Sequence, residues 1–239
     1  MSEAYRLYTE ADYSATTKTT NAGASQAWDN ASALGGIAGD ISFTIAPTKR
    51  AYVSKTYPTI NAGNASVVSY RYYFDVSGIS IPSNLDYTYL NRLNTSGFPG
   101  DSRLTFINIS SVLNLGLYAY DDSGTLKSSF WPIVGTPTWA EIKIYRSSNN
   151  ATADGYQELY VDGVLRLTSD LHIIYDAFSY STFYLGPWFE NNATGTAKIG
   201  KFLITDDANP IGPLRSYRHR PRPAAIMKKR QRIKGYRCG

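Results

Sequence analysis

Short runs in which apolar and polar residues alternate recur along most of the chain, with turn-forming residues between them. Alternation with a period of two is typical of β-strands that turn one face toward a core. Ten runs have this character: DISFTIAP, SVVSYRYYFDV, DYTYLNRL, SRLTFINI, VLNLGLYAYDDSG, WAEIKIYRSS, QELYVDG, VLRLTS, STFYLG and TAKIGKFLITDD. The pattern predicts an all-β, antiparallel two-sheet jelly-roll sandwich without parallel βαβ units. One segment, Ser169–Phe178, suits either a short helix or a loop.

The stretch GYQELYVDGVLRLTSD predicts a β-hairpin with a two-residue turn. Asp162 and the glycine that follows it tolerate the positive φ angles of a type I′ turn. Such a turn places Val161 opposite Val164 and Tyr160 opposite Leu165, so both faces of the ribbon are apolar. We therefore expect one face in the core, and Tyr160 and Leu165 on the outer face or under a loop.

Charge divides the chain into two parts. All 19 acidic residues lie at or before Asp207, whereas ten of the 24 basic residues follow Leu214. The strand pattern stops after ANPIGP, at residue 213. We predict a β-sandwich domain at residues 1–213 and a basic C-terminal arm at residues 214–239. The only cysteine is Cys238, so packing and not an internal disulfide must stabilise the domain.

Neither a membrane span nor a leader is indicated. No apolar run approaches the roughly 20 residues that cross a bilayer. The start MSEAYRLYTEADYS lacks the basic end and apolar centre of a signal peptide. We therefore expect a protein with no signal peptide and no membrane contact.

Four stretches, in this order, carry a family resemblance: SYRYYFDVSGISIP, LGLYAYDDSGTL, WAEIKIYRSSNNATADGYQELYVDGV and FYLGPWFENNATGTAKIGKFLITDDANPIGP. They resemble the laminin-G-like branch of the concanavalin A-like jelly rolls. The matching positions are Trp139, Gly155, Tyr160–Gly163, Leu185 with Gly186, and Asp206 with Asp207. The likeness runs from about Ser69 to Pro213 and implies the jelly-roll fold, with Trp139 in the core. Domains of this look are common in bacteriophage structural proteins and in sugar-binding or sugar-cleaving proteins.

The chain lacks the motifs of catalysis. Glycosidases of this superfamily place carboxylates on one strand as Glu-x-Asp-x-x-Glu, and lyases cluster His with Tyr, Arg and Gln. The only histidines are His172 and His219, and we interpret His172 as a loop or packing residue. GTAKIGKF follows P-loop spacing but has Phe202 where Ser or Thr would meet magnesium, so a strand is favoured, with Lys198 and Lys201 on the surface. We predict no catalytic residue and no cofactor.

Two pairs of aspartates offer oxygen ligands of the kind that calcium prefers. They are Asp121 with Asp122 and Asp206 with Asp207. Either pair provides too few ligands, and aspartate also forms turns and ends strands without a metal. Turn formation is the favoured interpretation, and we predict no metal site.

Trp131 and Trp188 are the candidate carbohydrate-binding residues, because an exposed aromatic ring can stack on the apolar face of a sugar. Trp188 belongs to the loop sequence GPWFENN. A place over the core or against another subunit is the competing interpretation for both residues.

The arm LRSYRHRPRPAAIMKKRQRIKGYRCG carries ten positive charges and no negative one. Two specific functions compete with a merely solvated extension: contact with nucleic-acid phosphates and docking on a neighbouring subunit. Docking is favoured, because prolines and the apolar AAIM interrupt the charges. The residues assigned to the arm's assembly or nucleic-acid function are Arg215, Tyr217, Arg218, Arg220, Arg222, Lys228, Lys229, Arg230, Arg232, Lys234, Tyr236 and Arg237.

Three functions of different classes follow from these observations. The first is a non-enzymatic virion structural protein, in a capsid, its decoration or a tail, assembled in the host cytoplasm. Its partners would be other virion proteins or copies of itself, with nucleic acid possible through the arm. The second is a lectin-like module that binds surface glycans. The third and least favoured is a polysaccharide lyase or glycosidase.

Overall fold

Two antiparallel β-sheets stack face to face in the computed structural model. It describes residues 3–60, 66–95, 101–121, 123, 125–136, 138–172, 174, 180–187, 190–206 and 211–213. The all-β jelly-roll sandwich expected from the pattern is confirmed. No helix among these residues is long and apolar enough to cross a membrane.

Sheet A contains eight strands. They are β1 (Glu3–Leu7), β3 (Ser25–Asp29), β4 (Asp40–Ile45), β6 (Val67–Ser80), β11 (Trp139–Tyr145), β12 (Tyr156–Val161), β13 (Val164–Thr168) and β16 (Thr194–Thr205). Their spatial order is β13-β12-β11-β6-β16-β4-β3, and β1 pairs with the end of β16.

Sheet B also contains eight strands. They are β2 (Thr17–Thr20), β5 (Ala51–Ile60), β7 (Tyr87–Thr95), β8 (Asp101–Ile109), β9 (Val112–Tyr120), β10 (Leu126–Pro132), β14 (Tyr180–Leu185) and β15 (Glu190–Asn191). Their order is β10-β9-β8-β7-β14-β5-β2, and β15 pairs with β7. A short helix, α1 (Glu10–Ser14), and a 3₁₀ turn at Leu34–Gly36 complete the described elements.

The core lies between the sheets and contains buried tyrosines as well as aliphatic residues. Buried phenols need hydrogen-bond partners. The hydroxyl of Tyr70 lies 2.9 Å from Ser102 Oγ, and that of Tyr72 donates to Asn91 Oδ1 at 2.9 Å. Ser102 Oγ in turn lies 3.0 Å from Gln157 Oε1. This network links the two sheets through polar contacts inside an apolar core.

All ten predicted runs contain strands, but the pattern missed β1, β2, β3, β5, β10 and β15. The expectation that only Ser169–Phe178 could be helical was wrong, because α1 is a helix. Thr9 caps it: its hydroxyl accepts the Asp12 N–H, and the Asp12 carboxylate accepts the Thr9 N–H. Within the described part of 169–178 there is no helix, and His172 forms a β-bridge with Gly155.

The predicted hairpin is confirmed, but its core face is only half as expected, since Val161 is buried and Val164 is 49% exposed. Asp162 and Gly163 have φ of 49° and 82°, and Tyr160 pairs with Leu165. Leu165 is 46% exposed on the outer face, as expected. The Asp162 carboxylate accepts the backbone N–H groups of Thr138 and Trp139 at 3.0 and 3.1 Å. The turn therefore also caps the start of β11, where the Trp139 side chain is buried as the resemblance implied.

The sandwich is described up to Pro213, and residues 214–239 lie outside the described part of the chain. The boundary between domain and arm therefore stays a prediction.

Candidate binding faces

The outer face of sheet B carries aromatic residues and arginines on six neighbouring strands. Each of these positions alternates with a core residue on its strand; for example, Tyr184 lies between buried Phe183 and Leu185. We call this set the aromatic stripe. Its members are Tyr52, Tyr87, Tyr89, Arg92, Arg103, Tyr118, Tyr120, Phe130 and Tyr184.

Arginines lie among the rings of the stripe. The Arg103 guanidinium is 5.3 Å from the Tyr89 ring centre and 5.1 Å from that of Tyr120. It also donates to the Tyr89 hydroxyl at 3.0 Å. Arg92, opposite Arg103 in the ladder, lies 5.8 Å from the Tyr184 ring. The negative faces of the rings stabilise these cations, so positive charge is held on the stripe.

The β9–β10 end of the stripe is shaped by a glycine. Tyr118 and Phe130 meet edge to face, with ring centres 5.6 Å apart. A Cβ atom at Gly116 would lie 2.7 Å from the Tyr118 ring and 3.1 Å from that of Phe130. Because glycine occupies this position, both rings lie close to the sheet, and Phe130 remains 39% exposed.

Burial raises the pKa of two tyrosines of the stripe, Tyr87 and Tyr118. It raises the pKa of Tyr118 to about 12, with a contribution from nearby Tyr89, and burial together with Tyr89 raises the pKa of Tyr87 to about 12. Half-buried rings that also donate hydrogen bonds suit ligands with flat apolar faces and polar edges. The arginines add charged donors for carboxylate or sulfate groups. The stripe is therefore suited to binding such ligands.

The outer face of sheet A differs, because it buries charged groups. Lys201 lies in a β-bulge of β16 with φ of 55°, and its side chain is 0% exposed. Its ammonium group lies 3.0 Å from Asp40 Oδ1 and also donates to the carbonyl oxygens of Ala38 and Gly39. The expectation that Lys201 is a surface residue was wrong. A lysine can be buried here because three acceptors match its three donors.

Lys198 and the glycine-rich sequence around it behave as predicted. Lys198 is partly exposed and forms an ion pair with Asp29 at 3.1 Å. The segment GTAKIGKF lies within β16, which confirms the strand interpretation over a P-loop.

A second buried pair on sheet A holds the chain that follows β16. The Glu141 carboxylate accepts the N–H groups of Ile211 and Gly212 at 2.9 and 3.0 Å. Arg71, opposite Glu141 in the ladder, donates to the Gly212 carbonyl and, at 2.7 Å, to the Tyr8 hydroxyl. We call Glu141 and Arg71 the linker clamp. Both side chains are almost fully buried.

Of the two tryptophans predicted to bind carbohydrate, only Trp131 is described. It is half-buried, packs against the core, and has the Arg166 guanidinium 5.0 Å from its ring centre. It lies at the edge where β10 meets β13 and is not part of the aromatic stripe. Trp188 and all the predicted arm residues lie outside the described part of the chain.

The other candidates have structural surroundings. His172 is buried, its Nδ1 lies 2.6 Å from the Asp170 carbonyl, and burial lowers its pKa. Asp121 accepts the N–H groups of Ser123 and Thr125, as the turn interpretation requires. Asp122 and Asp207 lie outside the described residues. In the described ranges, no three His, Cys, Asp or Glu residues lie close enough to hold a metal ion.

The aromatic stripe was missed by the sequence reasoning, which looked for tryptophan. A signal was present in YTYLNR, LYAY and STFYL, where tyrosine or arginine alternates with apolar core positions. What the sequence did not show was that these strands are neighbours in one sheet.

Comparison with known proteins adds information about the fold alone. No family model matches the chain, and no curated protein matches its sequence. Among solved structures, the receptor-binding domain of botulinum neurotoxin D matches with 13% identity and a TM-score of 0.54, covering 87% of this chain and 50% of that one. The binding domain of serotype D/C VPI 5993 matches with 14% identity and a TM-score of 0.55, covering 87% and 50%. The receptor-binding domain of type G matches with 12% identity and a TM-score of 0.51, covering 85% and 47%.

These matches support the jelly-roll expectation. The chain spans about half the length of the matched domains. At 12–14% identity the likeness extends to the fold and not to a binding specificity. The resemblance to bacteriophage structural proteins remains a prediction.

Proposed function

We propose that the protein is a non-enzymatic structural component of a virus particle, in the capsid, its decoration or its tail. The observation that carries this proposal is the position of residues 211–213, the linker that joins the sandwich to the arm. Residues 211–213 lie on the outer face of sheet A, bound by the linker clamp, while the aromatic stripe lies on sheet B. The outer faces of a sandwich point in opposite directions. A basic arm that follows Pro213 can therefore anchor the protein while the stripe faces away.

A non-enzymatic role is supported by the state of the carboxylates. Glu141 is engaged with the linker, Asp40 with Lys201, and Asp162 with the start of β11. Each has a structural task that fixes its oxygens. The matched solved structures are described as binding domains, which is consistent with a recognition module.

Truncation after Pro213 tests the anchoring role. The shortened chain should fold, with a β circular-dichroism spectrum and cooperative melting, but should not assemble with its partners. Assembly of the shortened chain at the full-length efficiency would contradict the proposal.

A variant pair separates protein docking from nucleic-acid binding by the arm. Replacing Tyr217, Ile226, Met227 and Tyr236 by Ser keeps every charge, and should prevent assembly if apolar contacts dock the arm. The matched variant reverses the charges of Lys228, Lys229 and Arg230 and keeps the four apolar or aromatic residues. If the arm instead binds DNA with about half of its charges, log affinity should fall with log salt with a slope of roughly −4 to −5. Assembly that survives the four-Ser variant but fails on charge reversal would refute apolar docking.

Glycan binding is a second candidate function, and the aromatic stripe favours it. Tyr89→Ala should remove glycan-array binding if the stripe is the site, while the variant still melts cooperatively. Tyr156→Ala, on sheet A, is the matched control and should leave binding intact. Trp188→Ala tests the original candidate. A large loss of stability in that variant would place Trp188 in the core, where truncation costs about 3 to 5 kcal/mol.

A further inference from the structure

A cluster of tyrosines surrounds one carboxylate on the outer face of β11 and β12. Cross-strand pairs place Tyr145 beside Tyr156 and Lys143 beside Glu158. The rings of Tyr145 and Tyr156 stack with centres 4.3 Å apart and planes 12° apart. Glu158 Oε2 accepts the hydroxyl groups of Tyr145 and Tyr160, each at 2.9 Å. We call Tyr145, Tyr156, Glu158 and Tyr160 the tyrosine–glutamate patch. All four residues are half-buried.

Glu158 forms no ion pair within the described part of the chain. The Lys143 ammonium group lies over the Tyr160 ring, 5.2 Å from its centre. Glu158 is thus an oriented carboxylate between tyrosine rings. Aromatic faces and a carboxylate together form a favourable site for a guanidinium or ammonium group.

The chain that follows β16 runs across sheet A in the direction of this patch. Thr205 at the end of β16 pairs with Ser69 of β6, and Ile211 and Gly212 then bind Glu141 on β11. Adjacent strands lie about 4.8 Å apart, so the chain has crossed one strand and reached the next. Glu141 is paired with Tyr160 of β12. The next strand in this direction carries the patch.

The opposite side of the same face is already covered. The 3₁₀ turn Leu34–Gly36 lies over β6, and a Cβ atom at Gly35 would lie 2.9 Å from the Tyr73 ring. Lys201 and Asp40 fill the region beside it. The half-buried part of the sheet A face that borders the linker is therefore the tyrosine–glutamate patch.

We propose that the first part of the chain's own arm, residues 214–222, docks on this patch and places an arginine on Glu158. Two extended residues span about 7 Å, so Arg215 is within reach of β12 from Pro213, and Arg218 follows three positions later in the sequence. The arm has no acidic residue that could compete for these arginines. The distal residues 223–239 remain to contact a partner. This inference deepens the proposed role of the arm but applies to the isolated chain.

Limited digestion of the full chain with trypsin tests the docking. Trypsin cleaves after Arg215 and Arg218, but Pro221 and Pro223 block cleavage after Arg220 and Arg222. The sites at Lys228 and Lys229 give an internal reference. We expect cleavage after Arg215 and Arg218 to be at least ten-fold slower than at the reference sites. Glu158→Gln should raise it about three- to five-fold, the size of effect expected for a partly exposed charge contact.

Glu10→Gln is the matched control, because it removes an exposed carboxylate from α1 and should not change the cleavage pattern. Melting temperatures should show that Glu158→Gln remains folded. Equal cleavage rates at all sites in the unchanged chain would overturn the proposal. So would protection that disappears on dilution, which would assign the patch to the arm of a second copy. Either result leaves the assembly test of the truncated chain independent, since that test measures anchoring and not docking in the free protein.

Discussion

Sheets A and B each contain eight strands, but charged side chains are arranged differently on their outer faces. On sheet A, Lys201 with Asp40 and Arg71 with Glu141 are buried beneath loops. On sheet B, Arg92 and Arg103 lie among half-buried tyrosine rings. The charges of sheet A hold backbone groups of the segments beside the sheet, at Ala38–Gly39 and Ile211–Gly212. The guanidinium groups of sheet B instead lie against tyrosine rings, whose negative faces stabilise a cation.

The largest expected effect is the loss of the buried ion pair on sheet A. Lys201→Met leaves Asp40 buried without its partner and should lower the free energy of unfolding by about 3 to 5 kcal/mol. Lys198→Met on the same strand removes a solvent-accessible pair with Asp29 and should cost much less, because water and salt screen that pair. Urea unfolding of both variants measures the difference. Equal costs would mean that the buried pair contributes no more than the exposed one.

A smaller loss is expected at the linker clamp. Glu141→Gln replaces one acceptor oxygen by an NH₂ group facing a backbone N–H, so one buried donor is left unsatisfied. The expected cost is about 1 to 3 kcal/mol. Glu158→Gln, on the same face but half-buried, should cost less than about 1 kcal/mol. Thermal unfolding measures both variants. Equal losses in the free energy of unfolding would contradict the expected difference between the buried Glu141 and the half-buried Glu158.

On sheet B, we expect a modest effect from Arg103→Lys. Lysine keeps the charge but loses the planar contact with the rings of Tyr89 and Tyr120. The free energy of unfolding should fall by about 0.5 to 1 kcal/mol. A loss as large as that of Lys201→Met would show that the stripe is a structural core rather than a binding face.

The smallest effect at neutral pH is expected for Tyr118→Phe, which should stay within about 0.5 kcal/mol of the natural chain. The folded pKa of about 12 exceeds the value of about 10 in an unfolded chain. Because this shift comes mainly from burial, which penalises the charged phenolate, ionisation of Tyr118 opposes folding. Stability is therefore unaffected by this group below pH 10 and falls as the pH rises from 10 toward 12. Melting curves from pH 9 to 12 should show a steeper loss for the natural chain than for the variant. Parallel curves would exclude the raised pKa.

Local sequence was sufficient for the hairpin, because the Asp162–Gly163 turn depends on the φ preferences of two adjacent residues. It failed for Lys201, whose burial depends on carbonyl groups and a carboxylate some 160 positions earlier in the chain. Strict alternation would put Lys201 on the same side of β16 as the core residue Ile199, and a β-bulge between Gly200 and Leu203 interrupts that alternation. No local signal shows the bulge or the segment that covers the lysine. The same holds for the aromatic stripe, which arises from the order of strands and not from any one of them. Thr9 is a different case, since its capping pattern was present in the sequence and the helix was too short to show periodicity.

The position of β16 has a consequence for synthesis and folding. This strand is the last in the described sequence, yet it lies at the centre of sheet A, between β6 and β4. During translation both of those strands exist before their common partner, each with an unpaired edge of backbone donors and acceptors. Closure of the sheet requires pairing between residues 114 to 158 positions apart, from Thr194 with Ser80 to Ile199 with Ile41. Such distant contacts make folding slow and leave strand edges exposed to other chains in the meantime. A nascent chain that stops before Thr194 should therefore be prone to aggregation, and refolding should be limited by the insertion of one strand.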